Sequence, residues 1–318
     1  MKIYILHLGG MGDFIVCLPG IKALIQAHLD WDVTVIADAP YLDLARMWLG
    51  NVTLFSATVW PWQCLWDKSC QDRPATMPAC DVVVDLWGTG HRRKHMERVS
   101  GGKYVAVKPD PGDPKQGIMA ERVCAEIGGL FGFAPVYEDI AWNLPTSPWS
   151  PDKIGLPGRL DKNAYVLMFP GAGVPTRCWH EQAWWALARR FELLEYMFTV
   201  CVTGPKEKDR GLAPRPGVFD LAIDTPTLPQ LAGLMANAAL VVTMDTGPSH
   251  IACWSVSPAG ARVPTVILIR SCIVEQWGTR RPWVRLVEFP EERPGDLTVE
   301  TVYAACQAAL AAPACRLF

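Results

Sequence analysis

Asp245 follows the apolar run Leu240-Val241-Val242-Thr243-Met244 and precedes Thr246-Gly247-Pro248-Ser249-His250. A carboxylate after such a run, followed by an N-cap type of residue, a glycine and a proline at the first helical position, predicts a strand passing directly into a helix. The free amides and positive dipole end of that helix attract phosphate, and Asp245, Ser249 and His250 would surround the seat with groups able to hold hydroxyls and phosphate oxygens. An ordinary capped turn is the plainer reading of the same residues. Two further loops offer related chemistry. The stretch from Phe169 to Trp179 carries Gly171, Ala172 and Gly173, then Thr176 and Arg177 just before a helix. Its amides, hydroxyl and guanidinium suit a diphosphate. Thr203-Gly204-Pro205-Lys206-Glu207 follows another strand, where Glu207 would accept from ribose hydroxyls or simply stand on an exposed turn.

The first loop of the chain, Gly9-Gly10-Met11-Gly12-Asp13, offers a base rather than an anion site. It resembles a dinucleotide loop but fails the fingerprint: the third glycine position counted from Gly10 is Ile15, and the second counted from Gly9 is Met11. Asp13 would repel a pyrophosphate there, so the loop presents an acid or base to something else. Asp38, at the end of the second strand, sits where a nicotinamide enzyme places its ribose-binding acid, which keeps an NAD-dependent oxidoreductase as an alternative. Cys80 to Leu86 reads as a strand, and Trp87-Gly88-Thr89-Gly90-His91-Arg92-Arg93-Lys94 after it delivers a hydroxyl and clustered cations. Thr89, His91, Arg92 and Arg93, together with Gly12, are the candidates for binding an anionic acceptor.

The elements that must position these groups alternate along the chain. A strand from the N-terminus, a helix over Phe14–Ala27 and a strand over Val33–Ala37 open a Rossmann-like unit; Pro19 is tolerable only in a first helical turn. A helix is expected over Gly117–Phe131. Four prolines between Pro145 and Pro157 mark a linker, after which the alternation restarts: a strand over Ala164–Phe169, a helix over His180–Leu194, a strand over Phe198–Thr203 and a helix over Leu228–Asn237. Two doubly wound domains facing a central cleft follow, which suits a chain of 318 residues.

The totals exclude several classes. A formal charge of −2 gives no general attraction for nucleic acid. No apolar run approaches a membrane span, and the N-terminal apolar stretch is too short for a signal peptide, so a cytoplasmic location is expected. Eleven cysteines without a Cys-x-x-Cys pair read as reduced, mostly buried thiols, and Cys64, Cys70 and Cys80 match no common zinc spacing. Asp30-Trp31-Asp32 matches an Asp-x-Asp metal pattern in name, but falls on the amino-terminal side of the sheet and reads as a solvated loop. No metal site is expected, and none of the fourteen tryptophans is assigned to a ligand.

Gly-Gly-Met-Gly-Asp after the first strand, Phe-Pro-Gly-Ala ahead of Arg-Cys-Trp, Val-Thr-Gly, Val-Asp-Leu-Trp-Gly-Thr and Asp-Thr-Gly-Pro-Ser-His resemble glycosyltransferase family 9 in order and spacing. These are the lipopolysaccharide heptosyltransferases and their relatives. The resemblance implies an α/β fold of GT-B type, two Rossmann-like doubly wound domains. Residues 1–148 would bind the acceptor and 149–318 the nucleotide sugar, with the last helix free to pack back on the first domain. It implies an inverting, metal-independent glycosyltransferase without a cofactor, moving heptose or a similar sugar from ADP-heptose or a similar donor to a saccharide or glycolipid acceptor. It also implies lipopolysaccharide biosynthesis, at the cytoplasmic side and peripheral to the inner membrane. Asp13 falls on the family's general base, Arg177 on its lysine that neutralises the leaving diphosphate, Asp245 on a contact to sugar hydroxyls, and Thr246 and Gly247 on the diphosphate. Arginine for lysine changes donor geometry. The longer loop over Ser257–Arg262, and Ile269-Arg270 in place of Phe-Gly, are further departures expected to alter the sugar pocket. A binding protein that has lost catalysis is the remaining alternative.

Overall fold

The structure is a computed structural model that describes residues 1–88, 90–108, 117–135, 165–204, 207, 218–224, 226–290 and 294–312. The chain divides into two compact units, Met1–Trp142 and Asn143–Phe318. The proline-rich linker expected at 145–157 lies outside the described residues, as does Thr89.

The first unit is a parallel sheet of β1 (Lys2–His7), β2 (Asp32–Ala37), β3 (Thr53–Ser56), β4 (Val82–Leu86) and β5 (Lys103–Val107), in the order β3-β2-β1-β4-β5. Its helices are α1 (Met11–Ala27), α2 (Ala39–Leu49), α3 (Arg93–Ser100) and α4 (Met119–Phe131). The order reverses between β1 and β4, so a crevice opens beyond their carboxyl ends, where open sheets of this kind bind ligands. The central strands are buried along almost their whole length, as strands covered on both faces must be.

Helix α1 starts at Met11, earlier than the apolar spacing predicts, so Pro19 lies inside it rather than in its first turn. The missing N–H at Pro19 leaves the Ile15 carbonyl without its helical partner. Gly20 next to it serves packing: a side chain there would come within 2.7 Å of Ile127 Cδ1 and 3.2 Å of Cys124 Cα, so only glycine lets α1 and α4 approach this closely. Lys2 and Asp32 pair at 3.4 Å at the amino-terminal edge of the sheet, which places the Asp30-Trp31-Asp32 segment away from the ligand crevice. Cys64 and Cys70 correct the expectation of reduced thiols. The short 3-10 helix Trp62–Leu65 and the turn Asp67–Cys70 fold the segment back, and the two residues form a disulfide with Cα atoms 5.4 Å apart.

The second unit is a parallel sheet of β6 (Tyr165–Phe169), β7 (Phe198–Thr203), β8 (Leu221–Asp224), β9 (Leu240–Met244), β10 (Thr265–Arg270) and β11 (Val284–Phe289), in the order β11-β10-β9-β6-β7-β8. Its helices are α5 (Glu181–Arg190), α6 (Leu228–Ala236), α7 (Gly247–Trp254), α8 (Val274–Trp277) and α9 (Val299–Leu310). A π-helical turn, Phe191–Glu195, continues α5. The reversal here falls between β6 and β9, and every residue of both strands is buried. Thr227 caps α6 by accepting from the Gln230 amide, with Gln230 returning the bond to the Thr227 amide. Helix α9 packs on α5, β9, β10 and β11, and its Val302, Tyr303, Cys306 and Ala309 join the core of this unit. Among the described residues no helix is long and apolar enough to cross a membrane.

Candidate functional site

In the first unit, Asp13 occupies the third position of α1, directly beyond β1. Its Oδ2 accepts from the Gly10 amide at 3.3 Å, a capping arrangement that turns the carboxyl toward the glycine loop. Burial raises its pKa above the ordinary carboxylate value, and the Gly10 amide opposes part of that rise. Gly12 belongs to the same first turn. The indole of Trp87, in the turn after β4, donates to the Asp13 carbonyl at 3.2 Å, so the two loops flanking the crevice are tied together. Trp87 takes a left-handed conformation (φ 65°), which a bulky residue adopts only where its surroundings enforce it.

A cavity of about 410 Å³ opens between these loops, lined by Leu8, Gly9, Trp87 and Gly88, with Lys68, His91, Arg92 and Asp85 supplying charge and polarity. Asp85 accepts from the Tyr104 hydroxyl at 2.8 Å, and its pKa is raised by burial against the pull of that bond and of Arg92. A side chain at Gly88 would overlap both the Asp85 carboxylate and the Tyr104 hydroxyl. The expected four-cation loop is therefore divided. His91 and Arg92 face the cavity, whereas Arg93 and Lys94 begin α3 and the Arg93 guanidinium pairs with Glu97 one turn on at 3.2 Å. Lys68, which sequence reasoning missed, reaches the cavity from inside the disulfide-closed loop; only the fold brings it there.

In the second unit three loops meet at the carboxyl edge of β6, β7 and β9. After β6, Ala172 is buried while Thr176 and the Arg177 side chain lie exposed on a 3-10 turn, Pro175–Arg177. That turn is anchored by Trp179, whose indole donates to the Leu297 carbonyl at 3.0 Å. Thr203 is buried at the end of β7. Glu207 Oε2 accepts from the Gly204 amide at 2.9 Å, and the same carboxylate lies where a Gly171 side chain would be. Glu207 thus braces two glycine loops against each other, and glycine at 171 is what admits it.

Asp245 ends β9, its amide bonded to the Leu268 carbonyl of β10 at 2.9 Å. Desolvation raises its pKa from 3.8 to about 6, opposed first by the positive charge of Arg270 and then by Arg177. Arg270, at the carboxyl end of β10, was legible only as a departure from a motif; β10 pairs with β9 and ends close enough to Asp245 for the Arg270 charge to act on its carboxyl. Thr246 holds the N-cap position of α7 in extended conformation but makes no side-chain cap, and its hydroxyl leans on the Met244 carbonyl at 3.4 Å. Gly247 opens the helix and Pro248 is its second residue, one place later than the sequence suggests; the amide missing there is one that no helix satisfies internally.

Two expected members of this seat turn inward. Ser249 is buried and donates its hydroxyl to the Thr246 carbonyl at 2.6 Å, stiffening the turn instead of facing outward. His250 is buried with its ring 5.9 Å from that of Trp277, and burial lowers its pKa to about 4, so it is neutral at physiological pH. The longer loop at 257–262 is also displaced from the expected place. It closes at the amino end of β10 with an antiparallel bridge between Val256 and Arg262, while the Val241 amide at the start of β9 bonds the Pro264 carbonyl. The Arg262 guanidinium stacks between Trp283 (4.9 Å) and Trp254 (5.8 Å) and donates to the Trp254 carbonyl at 3.2 Å. That loop lies at the opposite edge of the sheet from Asp245. The change of residue at Arg270, not the extra length, is what alters the carboxyl edge.

Among the described residues no group of three His, Cys, Asp or Glu side chains is placed to hold a metal ion.

Comparison with known proteins places this arrangement. Residues 139–257 match the family model described as glycosyltransferase family 9 (heptosyltransferase). A comparison with curated protein sequences finds no match. Among solved structures, the E. coli heptosyltransferase WaaC with ADP superposes with a TM-score of 0.70 at 16% identity, over 97% of this chain and 100% of that one. WaaC with ADP-2-deoxy-2-fluoro heptose gives 0.68 at 16% identity over 96% and 98%. The E. coli ADP-heptose lipopolysaccharide heptosyltransferase II gives 0.66 at 16% identity over 98% of both chains. The two Rossmann-like units have the α/β fold of the GT-B heptosyltransferases, and residues 139–257 are similar to glycosyltransferase family 9.

Proposed function

We propose that the protein is an inverting, metal-independent glycosyltransferase that moves heptose or a similar sugar from an ADP-linked donor to a saccharide or glycolipid acceptor of lipopolysaccharide type. The observation that carries this reading is the cluster at the carboxyl edge of the second unit: Asp245, on whose carboxyl the charges of Arg270 and Arg177 both act, beside the start of α7. Two cations and a helix N-terminus suit a departing diphosphate, and a carboxylate among them suits sugar hydroxyls. Solved proteins of the same fold hold ADP and an ADP-heptose analogue, which supports an ADP-linked donor.

The chemistry follows from the two units. In the first, Asp13 takes the proton of an acceptor hydroxyl; its raised pKa makes it a stronger base than an exposed aspartate. The freed oxygen attacks the anomeric carbon as the bond from that carbon to the diphosphate breaks, in one displacement that inverts the centre. Arg177, Arg270 and the amides at Thr246 and Gly247 receive the negative charge that develops on the leaving ADP, so the reaction runs without a metal ion or cofactor. Glu207 accepts from ribose hydroxyls through the oxygen not committed to Gly204. Lys68, His91, Arg92 and Gly12 meet an anionic acceptor, and a glycolipid acceptor brings the protein to the cytoplasmic face of the inner membrane.

Asp13→Asn tests the reading. General-base loss predicts a fall in turnover of roughly 10²–10⁴-fold with ADP affinity by calorimetry unchanged. Equal turnover in variant and wild type would overturn the base role. ADP binding with no transfer by either protein to any saccharide acceptor would favour a binding protein that has lost catalysis.

A further inference from the structure

The last residue of β1, His7, is fully buried, and among the described residues neither of its ring nitrogens has a hydrogen-bond partner. Its ring packs against Phe14 of α1, with centroids 5.2 Å apart, and against Tyr41 of α2 at 6.5 Å. A donor and an acceptor left unpaired in the interior are costly, and the other residues on the same face of β1, Ile3 and Ile5, are aliphatic. The imidazole is neutral at physiological pH, because burial lowers its pKa to about 4. Nε2 points at the underside of the glycine loop. A side chain built on Gly9 would lie 3.0 Å from His7 Nε2 and 3.4 Å from Asp13 Oδ2. Both atoms therefore lie around one point, and the absence of a side chain at Gly9 is what leaves that point open. Asp13 Oδ2 is held by one long bond, 3.3 Å to the Gly10 amide, leaving acceptor capacity unused.

We infer that His7 is a positioning residue for Asp13: once Asp13 is ionised, the neutral imidazole donates Nε2–H to Oδ2, directly or through one water, and leaves Oδ1 directed at the acceptor hydroxyl. The inference deepens the reading of Asp13 as the base and rests on it. The other groups facing Asp13 are the Tyr41 hydroxyl of α2, with Asp38 ahead of that helix, the Cys17 thiol of α1 and the Trp87 indole bonded to the Asp13 carbonyl. Burial first, and then the two acids, raises the Tyr41 pKa, and burial with a smaller push from Asp13 raises that of Cys17, so tyrosine and cysteine stay neutral beside it. Among these groups His7 is the one with two unspent nitrogens.

A donor bonded to the ionised carboxylate lowers its pKa, so removing the donor raises it. The test is a ¹³C-carboxyl NMR titration of Asp13, its signal assigned by loss in Asp13→Asn, in wild type, His7→Phe, His7→Gln and Gly9→Ala. His7→Phe is expected to move the Asp13 midpoint up by about one pH unit, and with it the acid limb of kcat, leaving the donor KM unchanged. His7→Gln, which retains an N–H donor, is expected to restore most of the shift. Gly9→Ala, which fills the gap, is expected to match His7→Phe and to add nothing to it in the double variant. Should His7→Phe not fold, His7→Gln and Gly9→Ala still read the same midpoint. An Asp13 midpoint that is the same in all folded variants overturns the inference. The titration needs no turnover, so absence of transfer with every donor would refute the transferase reading while leaving the titration decisive for His7.

Discussion

Replacing Asp245 by asparagine should stabilise the folded protein while impairing its chemistry. The carboxyl ionises at about 6 in the fold against an ordinary value of 3.8. A raised carboxylate pKa means that the folded chain binds more protons than the unfolded chain between those values, so folding stability falls as pH rises from 3.8 to about 6 and is level above it. A difference of this size corresponds to about 3 kcal/mol of cost carried by the ionised, desolvated carboxylate at neutral pH. Asp245→Asn removes the titration and keeps the shape. Its stability relative to wild type should be near zero at pH 4 and should grow to about 3 kcal/mol above pH 6.5. For a unit of this size that is roughly 6–12 °C in the melting transition. The assay is thermal or urea unfolding of both proteins at intervals from pH 4 to pH 8, following the transition of the second unit. ADP affinity and transfer at pH 7.5 are measured in parallel, and transfer should fall with loss of the contact to the donor sugar. A stability difference that does not change with pH, or an asparagine variant that is weaker at pH 8, would refute the reasoning. The first result would mean that Arg270 and Arg177 together cancel desolvation, the second that they outweigh it and that the ionised carboxylate is stabilising.

Arg270→Gln should weaken ADP binding by roughly 10–100-fold through loss of a charged donor, and should push the Asp245 midpoint above 6; unchanged ADP affinity in calorimetry would remove Arg270 from the donor site. Gly88→Ala should displace Asp85 or Tyr104 at about 1–3 kcal/mol in urea unfolding and raise the acceptor KM more than the donor KM, whereas an unchanged melting curve would show that the turn after β4 yields without cost.

Much of the fold was legible because its signals are local. The buried run Leu240–Met244, the glycine at 247 and the proline at 248 specify a strand and a helix start whatever surrounds them, and the structure forms both there. The same holds for β7, Phe198–Thr203, whose limits coincide with its apolar run. Site residues whose roles depend on a neighbour far along the chain were hidden. Ser249 reads as a phosphate ligand by type, yet the turn it closes uses its hydroxyl internally. Arg93 reads as part of a cationic loop, but an acid one helical turn ahead takes its charge. Lys68, Arg270 and His7 acquire meaning only from sheet order and packing, which sets β10 beside β9 and α2 beside the end of β1. The longer loop at 257–262 was placed on the wrong edge because a sequence position after a helix does not say which end of the sheet the chain has reached. In a parallel sheet every crossover helix returns the chain to the amino edge, and the loop follows such a helix.

The central claim is transfer with inversion from an ADP-linked sugar through protein groups alone. The most direct measurement incubates the protein with ADP-heptose and an acidic lipopolysaccharide core saccharide in excess EDTA, following ADP release and reading the new linkage by NMR. The account predicts stoichiometric ADP and glycoside, with the anomeric configuration opposite to that of the donor and no loss of rate in EDTA. A product of retained configuration, or transfer abolished by EDTA and restored by a divalent cation, would contradict it.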